Sequence, residues 1–219
     1  MKERPILFST PMVQAILEGR KTQTRRIVKQ SPIAAGLDWS LWYDEKLDAQ
    51  LNQRQFAQLH CPYGKPGDRL WVRENFRLSA DQDDKPPSQD YWKSGAWYAA
   101  DSEGEPSGCA GGAGRLRSAI HMPRWASRLT LEIIQIRVER LQDMTRDDAA
   151  AEGVPEHGGE AHKLGLIDGS RPFHEYDNRT TVENYAILWD SINGKDSWES
   201  NPWVWIVHFT RVTQERISL

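Results

Sequence analysis

Residues 129–141 constrain this chain more than any other stretch. From Leu129 to Leu141 apolar and polar residues alternate across most of the length. A period of two becomes a continuous apolar surface only in a β-strand with one buried face. Residues 203–212 add a second strand of another kind. There Trp203, Trp205, Val207 and Phe209 alternate with Val204, Ile206 and His208, so both of its faces are expected to be covered. A sheet is therefore obligatory, and the rest of the chain must supply its partners and its covering layers.

The partners are short. Ile6, Leu7 and Phe8 form an apolar run that ends at Ser9-Thr10-Pro11, which reads as a strand running into a helix with Thr10 as N-cap and Pro11 at the first helical position. Met12 and Ile16 give that helix its apolar stripe, and Gly19 closes it. Lys21 then sits at the turn into a strand over 22–29. The Pro- and Gly-rich residues 61–68 deliver the chain into another strand, Arg69-Leu70-Trp71-Val72-Arg73-Glu74. Thr145-x-x-Asp148 caps a short helix over 147–152 that Gly153 ends, and Thr180-x-x-Glu183 opens a helix to Ile192. Two segments break this order, at about 30–60 and 78–118. The first carries a helix over 47–59. The second carries a polar run, 81–87, that reads as disordered, and a hairpin between Tyr91-Trp92 and Ala96-Trp97-Tyr98. The expected fold is α+β: one domain over 1–219, a small mixed β-barrel decorated by short helices, with two insertions.

The net charge of −3 conceals an asymmetry. Residues 1–30 hold seven basic side chains against two acidic ones, a local charge of +5, and residues 115–128 hold four arginines and no acid. If these stretches meet, they present an anion-binding face; otherwise they are two solvated basic loops. No apolar run approaches the roughly 18 residues of a membrane helix. The N-terminus has no apolar signal core, and two cysteines cannot frame a disulfide scaffold, so a cytoplasmic protein is expected.

Several chemistries lack their residues. There is no Gly-rich phosphate loop, no Gly-x-Ser-x-Gly elbow and no His-Glu-x-x-His. Glu156, His157, Glu160, His162 and His174 crowd one loop without a recognised metal spacing, so no metal and no cofactor is expected. Cys61 beside His60 reads as a half-buried structural thiol, because sequence neighbours on an extended chain point apart. The informative string is Gly19-Arg20-Lys21-Thr22-Gln23-Thr24-Arg25-Arg26. A lysine at a helix-to-strand turn with a threonine three residues on can place an amine beside a hydroxyl. With its pKa lowered by neighbouring cations or by desolvation, that lysine can activate the hydroxyl as a nucleophile. Arg20, Arg25 and Arg26 would lower it and attract an anionic substrate. The competing reading is a basic turn followed by a strand threonine.

The string Ile16-Leu17-Glu18-Gly19-Arg20-Lys21-Thr22-x-Thr24-x-Arg26, the run 66–74 and the closing Trp203-Val204-Trp205-Ile206-Val207-x-Phe209 together resemble the ASCH domain family. That family is a branch of the PUA-like superfamily of RNA-associated β-barrels. Within it the chain is similar to longer bacterial and prophage members, which also carry a segment like 121–128. The resemblance implies a PUA-like barrel. It also implies one of two functions: hydrolysis of N4-acetylcytidine and related N4-acylcytidines by a lysine, a threonine and a glutamate, or recognition or cleavage of RNA. Carried over, the lysine is Lys21, the threonine Thr24 and the glutamate Glu152, with Glu74 of the 66–74 motif as a rival carboxylate. Trp71, Arg73, Glu74, Arg124 and Trp125 join Arg20 and Arg26 as substrate-binding candidates, because Arg124 beside Trp125 resembles a phosphate contact next to a stacking platform. Trp39, Trp42, Trp92 and Trp97 can roof a pocket. The expected partner is a modified cytosine nucleoside or RNA, with neither a membrane nor an obligate protein partner. The enzyme reading and the binding-module reading differ in one feature, a closed pocket at Lys21 against an open basic groove.

Overall fold

The structure is a computed structural model that describes residues 1–29, 41–44, 49–87, 96–101, 112–155 and 180–212. In chain order its elements are β1 (Glu3–Leu7), α1 (Thr10–Leu17), β2 (Gln23–Ile27), β3 (Leu41–Asp44), β4 (Ala49–Asn52), α2 (Gln53–His60), β5 (Arg69–Arg73), β6 (Phe76–Arg77), β7 (Trp97–Tyr98), β8 (Thr130–Arg140), α3 (Arg146–Ala151), α4 (Thr181–Asn193) and β9 (Trp203–Arg211). The α+β class is as expected.

The two long strands lie side by side. β8 and β9 are antiparallel at the centre of a five-stranded sheet of order β1-β5-β8-β9-β2, in which only β1 and β5 run parallel. A bulge between Ile133 and Gln135 shifts the register of β8. The extra residue turns Ile134 out to 56% exposure, while Leu131 and Ile133 before the bulge and Ile136 and Val138 after it all stay buried. The plain alternation of the sequence did not contain that interruption. In β9 every residue from Trp203 to Val207 is buried, as the double periodicity required. Phe56 of α2 stacks on Trp205 at 5.4 Å, so α2 roofs one face.

The closed barrel expected from the sequence is not found among the described residues, whose sheet has two edges. Its physical substitute is local. Arg26 Nη2 donates to Leu7 O at 2.8 Å, so a side chain rather than a backbone ladder joins edge strand β2 to edge strand β1. The start of β2 is meanwhile occupied by the segment after α3, through the Lys21↔Glu152 bridge and Thr22 N donating to Ala151 O at 2.8 Å.

Helix ends follow the sequence with small shifts. Thr145 and Thr180 make full capping boxes with Asp148 and Glu183. The first helix is capped at Ser9, one residue before the expected Thr10, and Ser9 makes no side-chain cap bond. The helix expected over 47–59 is shorter, because Asn52 forms a capping box with Gln55 and residues before it pair as β3 and β4.

A second small core of Phe76, Leu78, Met122 and Ala126, with Tyr98 and Trp125 packed on it, joins the second insertion to the residues that flank it. Trp97-Tyr98 pair with Phe76-Arg77, and Tyr91-Trp92 of the expected hairpin lie outside the described residues. The polar run read as disordered is pinned. Gln82 is buried, and Arg117 donates to Gln82 O at 2.7 Å and to Asp83 O at 3.2 Å. No helix among the described residues is long and apolar enough to cross a membrane.

Candidate active site

Lys21 is fixed from three directions. Gly19, at φ +77°, turns the chain out of α1. Lys21 N then donates back to Ala15 O at 3.0 Å, and Phe209 N of β9 donates to Thr22 O at 2.9 Å. On the third side the segment after α3 supplies Glu152, the residue at which that helix ends. Lys21 Nζ donates to Glu152 Oε2 at 2.7 Å and to Glu152 O at 2.8 Å. Both residues are sealed, at 4% and 3% exposure. Burial lowers the lysine pKa below its usual 10.5, and this outweighs the attraction of Glu152, while Arg26 and Arg25 push it the same way.

Gly153 makes the approach feasible. It sits at φ +89°, and a Cβ there would meet Ala15 Cβ at 2.9 Å and Lys21 Cβ at 3.0 Å. Gly153→Ala is therefore expected to cost about 1–3 kcal/mol through backbone strain and to displace Lys21, lowering both the melting temperature and any turnover that depends on Lys21. If thermal unfolding and activity match the wild type, the Lys21 backbone gives way freely and this account of its placement is wrong.

The carboxylate is shared. Arg25, 1% exposed, brings Nη1 to 3.4 Å from Glu152 Oε1, and its Nη2 reaches Glu139 Oε1 at 2.8 Å and Asp148 Oδ2 at 3.3 Å. Arg137 contacts the same two acids, at 2.9 Å to Asp148 and 3.5 Å to Glu139. Burial would raise the Asp148 carboxyl, but the Thr145 amide and hydroxyl, with Arg25 and Arg137, hold it down at about 2.

Thr24 is buried opposite Val207 and shares a strand face with Arg26, the reverse of the face that carries Gln23 and Arg25. Among the described residues the hydrogen bonds of Lys21 Nζ go to Glu152 and not to Thr24. The amine is hydrogen-bonded to the Glu152 carboxylate, the partner that the resemblance implied for it. Phe8 lies beside both cations, with its ring centre 5.6 Å from Lys21 Nζ and 5.3 Å from the Arg26 guanidinium carbon. Tyr185 of α4 faces Glu152, Arg25 and Arg26, and burial keeps its phenol protonated well above the usual 10. Burial likewise raises the Tyr63 phenol, which Arg26 hydrogen-bonds. Arg20 lies at the rim, paired with Glu18 and donating to Gly153 O at 3.0 Å.

The other candidates have other partners. Glu74 is held by both arms of Arg128, Nε to Oε1 and Nη2 to Oε2, each at 3.0 Å. Arg128 also grips Asp101 at 2.7 Å and lies 3.9 Å over the Tyr98 ring. Burial raises the Glu74 carboxyl against the pull of Arg128. Trp71 carries Arg73 at 4.7 Å and Arg124 at 5.9 Å over its ring, and Arg124 bonds Glu3 at 3.1 Å. Arg124 therefore rides on Trp71 and not on Trp125, which packs into the insertion core. Trp39 and Trp92 lie outside the described residues, as does the 156–174 histidine loop. Among the described residues no group of acids, histidines and cysteines forms a metal cluster. Cys61 is buried rather than half-buried, and burial pushes its thiol up to about 11, which rules it out as a nucleophile near neutral pH. A cleft of about 590 Å³ opens between residues 84–87 and 115–121, and no sequence-predicted site residue lines it.

Sequence reasoning missed the hub role of Arg25 and the parts of Glu139, Asp148, Phe8 and Tyr185. A usable signal did exist, since Arg137 and Glu139 alternate on the polar face of β8, one strand removed from a basic β2. Comparison with family models, curated proteins and solved structures finds no match to this chain.

Proposed function

We propose that this chain is an ASCH-type, PUA-like protein that hydrolyses the exocyclic amide of N4-acylated cytosine nucleosides. The observation that carries the reading is the buried Lys21–Glu152 ion pair, with the Phe8 ring beside both Lys21 Nζ and the Arg26 guanidinium. A desolvated lysine with a lowered pKa yields its free amine at a lower pH than a solvated lysine does. In the proposed reaction Lys21, as the free amine, takes a proton from a water oriented by the Thr24 hydroxyl. The water oxygen bonds to the acyl carbon, the C–N bond breaks, and the leaving cytosine amine takes up a proton returned through Lys21 and Glu152. One water is consumed, and a carboxylic acid and the cytosine nucleoside are released.

Charge placement favours this reading over an open basic groove. Arg117, Arg124 and Arg128 of the second basic stretch are engaged by Asp83, Glu3, and Glu74 with Asp101. In the first stretch Arg4, Arg20, Lys21 and Arg25 are paired with acids as well. Among the described residues the feature favouring an RNA-binding or ribonuclease reading is the Arg73–Trp71–Arg124 stack, in which Arg124 is exposed over a buried Trp71. The test is incubation of the folded protein with N4-acetylcytidine and chromatographic detection of cytidine. Absence of cytidine overturns the substrate assignment. Single-stranded RNA is expected to bind weakly with a shallow salt dependence; tight binding with a steep one would instead support the second reading.

A further inference from the structure

A lysine paired with only one buried carboxylate is a poor base. Loss of its proton would leave a carboxylate that is 3% exposed without a counter-ion, a state folded proteins avoid. At this site the obstacle is removed by a neighbour. Arg25 lies against Glu152 Oε1 at 3.4 Å while Lys21 takes Oε2 at 2.7 Å, so the carboxylate keeps a cation whichever form Lys21 adopts.

We propose that Arg25 is a positioning residue of this site: it orients the Glu152 carboxylate and supplies the permanent counter-charge that lets Lys21 alternate between ammonium and amine. The inference rests on reading Lys21 as the base. A guanidinium is the group for this task, since it does not deprotonate in proteins and its fork can bridge several carboxylates at once. Arg25 does both, spanning Glu139, Asp148 and Glu152 from within the sheet.

The charges around it are balanced. Lys21, Arg25 and Arg137 face Glu139, Asp148 and Glu152, three against three. Other elements add Arg26 from β2, Tyr185 from α4 and His208 from β9. Burial and Arg137 hold His208 below its usual 6.5, so it is uncharged above neutrality, and Tyr185 keeps its proton well above 10. Asp148 ionises near 2. None of these three changes charge between about pH 7 and 10, so none of them masks a Lys21 titration in that range.

The decisive measurement is the Lys21 side-chain titration, followed by NMR of ¹³C,¹⁵N-labelled lysine and assigned with Lys21→Arg. In Arg25→Gln the Lys21 midpoint is expected to rise by about one pH unit or more, because a like charge is gone and Glu152 depends on Lys21 alone. Turnover at pH 7 is expected to fall about tenfold and to recover as the pH is raised. Arg25→Lys, which restores a cation, should bring the midpoint part of the way back. If Arg25→Gln does not fold, Arg25→Gln with Glu139→Gln keeps cations and anions equal and carries the same expectation. An unchanged or lower Lys21 midpoint in either folded variant overturns the proposal. The titration needs no substrate, so it decides the role of Arg25 even if N4-acetylcytidine proves to be the wrong one.

Discussion

Lys21→Ala is expected to lower turnover of N4-acetylcytidine by about 10²- to 10⁴-fold, the range a positioned general base supplies. The loss should be in kcat, since Lys21 is buried against Glu152 rather than offered to a ligand as a surface charge. Lys21→Arg sharpens the test. It keeps a positive charge and comparable reach but cannot yield a free amine, so it is expected to be as inactive as the alanine variant. Neither change leaves Glu152 alone, because Arg25 remains against its other oxygen. Both proteins should therefore stay folded, which circular dichroism and thermal unfolding would verify beside the chromatographic assay. Appreciable turnover by Lys21→Arg would remove the base role and leave Lys21 with an electrostatic one.

Arg128→Ala is expected to produce the largest stability loss, about 3–5 kcal/mol, because it strands Glu74 at 1% exposure with no counter-ion. For a chain of this size that is a fall in melting temperature of roughly 6–20 °C. The loss depends on pH in a definite direction. Burial raises the folded-state pKa of Glu74 above 4.5, so its contribution is fullest below the ordinary carboxyl value and is lost as pH rises through the raised one. The Arg128→Ala penalty should accordingly shrink in acid, where Glu74 is buried neutral. Glu74→Gln should leave kcat within about twofold, whereas Glu152→Gln should abolish it. The reverse result would move the working carboxylate to the Arg128 clamp.

What could be read from the sequence divides by range. The capping boxes at Thr145 and Thr180 and the two-faced burial of β9 follow from spacings of a few residues, and these were legible. The bulge at Ile134 was hidden because Ile133 and Ile134 are both apolar, so either could have faced the core. Among the described residues the sheet does not close, and the residues just before β2 are met by residues 151 and 152, a pairing no local pattern announces. The basic stretches looked like a surface because composition counts charges without their partners. Arg25 is as basic as Lys29 in the sequence, yet it is among the most completely buried side chains of the fold. Its acids come from β8 and α3, more than a hundred positions away. Lys21 and Glu152 came together in the expected way through a family resemblance, with Gly153 as the local clue that the chain must pass close there.

The contact between Lys21 and Glu152 spans 131 positions, and β2 finds its ladder only on β9. During synthesis the stretch bearing Lys21, Thr24 and Arg25 emerges long before any of its acids, and β2 has no strand to pair with until nearly everything else has been made. Contacts of such long range form late and slowly in folding. A growing chain thus carries Lys21 as an ordinary solvated lysine, and only the closing strand completes its burial. The desolvated environment of Lys21 is completed only when β9 is in place.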